Sequence, residues 1–151
     1  MKTANSYQVG GQHYQSDYQP WDLMLWLGLG YLEGSTIKYV CRWRKKNGIE
    51  DLKKALHYLN KMEESSPIRH NLARQQVAHE VATFAKANQL SDLEHGYVLS
   101  ICQWQDHSDI RGAREFLFLL LDEAEATEKE NNRAVHEYAE RYGDSEPDQG
   151  G

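Results

Sequence analysis

Apolar residues between Ile37 and Leu59 recur three and four positions apart, and the run is interrupted once, by Asn47-Gly48. Ile37, Val40, Cys41 and Trp43 fall on one side of the first segment, and Ile49, Leu52, Leu56 and Leu59 form the stripe of the second. A period near 3.6 residues marks a half-buried helix, and no stretch alternates with the two-residue period of a strand. Asn-Gly is a strong turn signal. A helix from about Thr36 to Lys46, with Ser35 as N-cap, is therefore expected to fold back antiparallel on a helix from Ile49 to about Glu64.

The rest of the chain carries the same kind of punctuation. Residues 1–19 are polar, with a Gly10-Gly11 break, and read as an arm. Pro20 and Asp22 suit the first turn of a short helix that Gly28 and Gly30 end, apolar almost all round from Trp21 to Leu27. Ser66-Pro67 marks a further start, for a helix reaching about Asn88 with Leu72, Val77, Val81 and Phe84 inward. Ser91 followed by Glu94 is a capping-box pattern. Ser108 is the expected cap of the last long helix, which should fray or break near Asn131-Asn132. The predicted fold is all-α: a bundle of about six helices with an N-terminal arm and no sheet. Residues 65–142 are expected to pack on residues 1–64 as one domain, and the acidic, Gly-rich tail 143–151 to be disordered.

The 151 residues suffice for one domain with a core that needs no disulfide or metal staple. Cys41 and Cys102 make no CxxC and sit in helical apolar patterns, so both read as reduced core thiols. No signal peptide or membrane span is visible, so a cytoplasmic protein is expected. The net charge of −6 argues against binding long nucleic acid. Yet residues 36–61 hold eight Lys or Arg against Glu50 and Asp51, a local excess of six. A basic face on an acidic protein suits a small anion.

At about 100° per residue, Lys38, Arg42, Lys45 and Lys46 share the side of their helix opposite Ile37, Val40, Cys41 and Trp43. Asp51, Lys54 and Tyr58 share a polar face of the next helix. The hairpin brings Lys38, Arg42, Lys45 and Lys54 to one side, with Asp51 placed to orient a neighbouring cation and Tyr58 to stack on or donate to a ligand. On composition alone, a solvated basic helix pair is the simpler account, because charge runs are usually surface.

The motifs in this stretch are Gly10-Gly11-Gln12-His13-Tyr14, Gln19-Pro20-Trp21-Asp22, Leu32-Glu33-Gly34, Lys38-Tyr39-Val40-Cys41-Arg42, Lys45-Lys46-Asn47-Gly48 and Asp51-Leu52-Lys53-Lys54-Ala55, ending at Tyr58-Leu59. Over residues 7–62 the chain resembles the SaV-like family of small phage proteins, which includes a nucleoside monophosphate kinase without Walker motifs. The resemblance implies a phage-encoded nucleotide-binding protein, most simply a kinase-like phosphotransferase acting on (deoxy)nucleoside monophosphates with ATP as donor, in the cytoplasm of an infected host. It implies His13, Tyr14, Lys38, Tyr39, Arg42, Lys45, Asp51, Lys54 and Tyr58 as site positions. Arg can fork a phosphate, Lys supplies point charges and Tyr offers a stacking face, while phosphoryl transfer needs mainly positioning and charge stabilisation. No catalytic base is assigned. Sequestration of a nucleotide without turnover, and docking of an acidic protein partner, stand as the alternatives.

Gly28-x-Gly30-x-x-x-Gly34 is one residue too long for a dinucleotide loop and belongs to no βαβ unit. His79-Glu80 is not HExxH, the other histidines show no ligand spacing, and no metal site is expected. Trp21, Trp26, Trp43 and Trp104 read as core. The wholly apolar helix at 21–27 and the broad stretch Phe116–Leu121 lead to the expectation of a homo-oligomer.

Overall fold

The computed structural model describes residues 4–7, 9, 11, 16–65 and 74–143. Among these, six α-helices follow one another: α1 Pro20–Leu27, α2 Tyr31–Arg42, α3 Ile49–Ser65, α4 Arg74–Ala87, α5 Asp92–Gln103 and α6 His107–Tyr142. Short 3-10 turns lie at Ala4–Ser6 and Trp43–Lys45, and no strand occurs among the described residues. The fold is an all-α bundle. Its core is one cluster, from Leu23 of α1 to Ala124 of α6, to which every helix contributes. No helix among the described residues is long and apolar enough to cross a membrane.

The turn between α2 and α3 forms as the Asn-Gly signal requires. Gly48 takes φ +54°, a left-handed conformation that costs glycine little, and its N–H closes the turn on the Trp43 carbonyl at 2.8 Å. The two helices then bury Ile37 and Val40 against Leu52, Ala55 and Leu59. A polar bond ties this pair to α5. Buried Thr36 donates to the Ala55 carbonyl at 2.9 Å, and its hydroxyl lies 2.5 Å from that of buried Tyr97. Tyr97 is fully enclosed, and burial pushes its phenol pKa up.

Three boundaries differ from the sequence reading. The second helix begins at Tyr31, with Gly30 as its extended N-cap, so Ser35 is a buried helix residue and not a cap. Position 34 packs closely on α1: a Cβ there would meet the Met24 thioether, which would have to move aside. The helix also ends sooner, at Arg42, and the chain tightens into the 3-10 turn that carries Arg44 and Lys45. The third difference concerns α6. Asp106 is its cap, accepting from Ser108 N at 2.7 Å and Asp109 N at 3.3 Å, and the helix runs unbroken through Asn131-Asn132 to Tyr142. Two asparagines cost only a few tenths of a kcal/mol each in a helix, too little to stop one this long.

The Ser91–Glu94 capping box is present, with Glu94 N donating to Ser91 Oγ and Ser91 N to Glu94 Oε2. Trp43 and Trp104 are core residues, but Trp21 is 42% and Trp26 70% exposed. Alternate faces of α1 explain this: Leu23 and Leu27 take the inward positions. Neither Cys41 nor Cys102 is in a disulfide among the described residues. The Ser66-Pro67 start, Leu72 and the tail beyond Gly143 lie outside the described residues.

The Gly34–Met24 contact supports a prediction. Gly34→Val should lower stability by about 1–3 kcal/mol through overpacking and should separate α1 from α2. Chemical denaturation measures the loss, and an unchanged midpoint would count against a close α1–α2 contact.

Candidate functional site

One face of the α2–α3 pair gathers rings and cations around Tyr39. The stripe Tyr31, Ser35, Lys38 and Arg42 runs along α2 at helical spacing, and Asp51, Lys54 and Tyr58 run along α3 beside it. Three cationic groups lie on the Tyr39 ring: Lys38 Nζ at 4.7 Å from its centroid, the Arg42 guanidinium carbon at 4.6 Å and Lys54 Nζ at 5.8 Å. Such distances fall within the range of attraction between a cation and a ring face. Tyr58 stacks on Tyr39 with centroids 5.7 Å apart and planes 24° from parallel. Tyr31 meets Tyr58 edge to face at 5.9 Å, and their hydroxyls are 3.2 Å apart. That shared bond holds the Tyr31 phenol below its ordinary pKa and raises that of Tyr58, and either hydroxyl can donate.

Arg42 is anchored from below. Its Nε donates to Asp51 Oδ2 and its Nη2 to Asp51 Oδ1, both at 3.0 Å. The Asp51 side chain is fully buried and that of Arg42 is 12% exposed. This two-pronged pair sets the guanidinium plane against the Tyr39 ring and neutralises the charge of Arg42 locally. Asn47 Nδ2 adds a longer contact to Asp51 Oδ1 at 3.4 Å. Lys54 pairs with Glu50 at 2.7 Å, and that hydrogen bond raises the lysine pKa. Lys38, half-buried, has no carboxylate partner among the described residues.

The structure thus brings together Lys38, Arg42, Lys54, Asp51 and Tyr58. It leaves Lys45 on the exposed 3-10 turn, where no ring contact or ion pair joins it among the described residues. His13 and Tyr14 lie outside the described residues. Tyr31 is the residue that the sequence reading missed. Its signal was the spacing of positions 31, 35, 38 and 42, concealed by placing the helix start at Ser35.

Arg44 belongs to a different network. Its Nε donates to buried Glu94 at 2.6 Å and its Nη2 to Glu123 at 2.7 Å, while its guanidinium lies 4.2 Å over the Trp43 ring. It fastens the end of the hairpin to α5 and α6, so its loss would disturb the fold. Among the described residues, no group of three or more His, Cys, Asp or Glu side chains is placed to share a metal ion.

Residues 9–60 match the model of a family described as proteins of unknown function (DUF3310). The matched segment spans the ring–cation face, and the family's description assigns no activity. No curated protein and no solved structure matches the chain.

Proposed function

We propose that the α2–α3 face binds a nucleotide, with its phosphate at Lys38, Arg42 and Lys54 and its base against the tyrosine rings. The observation that carries this reading is Lys38: a cation over the Tyr39 ring, beside two further cations, with no carboxylate partner among the described residues. Asp51 and Glu50 already compensate Arg42 and Lys54, so the charge that a bound anion would offset is that of Lys38. Asp51 presents Arg42 at a fixed angle, and Tyr58 and Tyr31 extend the aromatic surface away from the cations. Kinase-like phosphoryl transfer from ATP to a (deoxy)nucleoside monophosphate is the activity the resemblance to the phage proteins implies. A buried Asp51 that is already bonded twice serves as an orienting group here, not as a base.

Calorimetry with a panel of nucleoside monophosphates tests the binding. Lys38→Ala should weaken it by roughly tenfold or more, the worth of one charge-assisted hydrogen bond. Lys53→Ala, an exposed site on α3 away from the Tyr39 ring, should bind like wild type. Equal losses in both variants, or no binding by wild type, would reject the site and leave the basic face as a docking surface for an acidic partner. Product analysis with added ATP separates the two activities: a new diphosphate means transfer, and unchanged bound monophosphate means sequestration.

A further inference from the structure

The body of the bundle ends at Ala124, but α6 does not. Ala124 is the last buried residue of that helix, and every residue from Glu125 to Gly143 is exposed. The overhang, residues 125–142, is about 27 Å long at 1.5 Å per residue. Its apolar side chains are not scattered. Upstream, α6 turns Ile110, Ala113, Leu117, Leu120 and Ala124 into the core. At about 100° per residue the same stripe continues as Glu128, Asn131, Val135, Tyr138 and Tyr142. Val135 is 68% and Tyr138 67% exposed. The opposite side carries the surface ion pairs Arg133–Glu137 and His136–Glu140. The overhang is therefore amphipathic, with its apolar face toward the side that is core one turn earlier.

We infer that this stripe packs against the same stripe of a second copy of the chain, antiparallel, across a two-fold axis near Arg133. The pattern of side chains selects both occupant and direction. The register that sets Asn131 against Val135 also sets Glu128 against Tyr138 and small Ala124 against large Tyr142. A carboxylate then faces a phenol that can donate to it, and each overhang reaches the end of the other copy's body. The flanking positions avoid like charges: Ala134 meets Ala134, Asn132 meets Asn132, Thr127 meets Arg141 and Glu125 meets Ala139. A parallel pair would instead set Glu128 against Glu128 and Tyr142 against Tyr142, with repulsion and crowding at one face. Closed two-fold pairing of one self-complementary patch is the commonest form of assembly.

Light scattering coupled to size exclusion tests this on the whole chain at high micromolar concentration. Wild type should elute with twice the 17.5 kDa chain mass. The double variant Val135→Glu, Tyr138→Glu should elute as a monomer with an unchanged midpoint of the cooperative unfolding of the body, since neither residue is in the core. A monomeric wild type, or a dimer that survives both charges, overturns the proposal. Cysteine cross-linking tests the direction. Ala134→Cys should form an intermolecular disulfide that wild type does not, while Val135→Cys should not, and the reverse result overturns the antiparallel register.

Discussion

Asp51→Ala should lower stability by about 3–5 kcal/mol, the cost of removing one partner from a buried ion pair. Asp51 is fully buried and holds Arg42 through two bonds at 3.0 Å. Without it, a guanidinium that is only 12% exposed keeps its charge and loses both of its bonds to Asp51. Arginine cannot shed its proton to escape the penalty. For a chain of this size the melting temperature should fall by roughly 10 °C or more. Asp51→Asn retains one acceptor oxygen and should cost less. Urea denaturation of the two variants measures both effects. A loss below about 1 kcal/mol in Asp51→Ala would mean that Arg42 is solvated freely and that Asp51 does not position it.

Glu94→Ala should cost about 2–4 kcal/mol, for a different combination of reasons. One oxygen of Glu94 accepts from the Trp43 indole at 2.9 Å and from Arg44 Nε at 2.6 Å, and the other accepts from Ser91 N at 2.8 Å. The side chain therefore caps α5 and receives the end of the α2–α3 hairpin at once. Removing it leaves the buried indole N–H without an acceptor and opens the first turn of α5. Arg44 itself is 42% exposed and regains water, so Arg44→Ala should cost less than Glu94→Ala. Thermal unfolding of the two single variants and the double variant gives the coupling between them. Additive losses would show that Glu94 and Arg44 act independently. Since the hairpin carries the ring–cation face, Glu94→Ala should also weaken nucleotide binding, though Glu94 lies outside that face.

The sequence determined what short-range chemistry controls. The Asn47-Gly48 turn, the Ser91–Glu94 cap and the span of α3 depend on residues within a turn or two of each other, and they formed where the residue types placed them. Helical periodicity likewise put Lys38, Arg42, Lys54, Asp51 and Tyr58 on one side of a hairpin, because the side facing away from an apolar stripe follows from the stripe. Local signals failed where a distant residue outweighed them. Ser35 has the chemistry of a cap but lies buried inside a helix that starts a turn earlier at Tyr31, with Gly34 against Met24 of the preceding helix. Arg44 looked like one more cation of a basic run, and its partners Glu94 and Glu123 are far along the chain. For Arg42 and Arg44, the pairing is a matter of carboxylates brought from other helices. Only the tertiary packing could set that, because a charge is compensated by what lies next to it in space, not by what lies next to it in the chain.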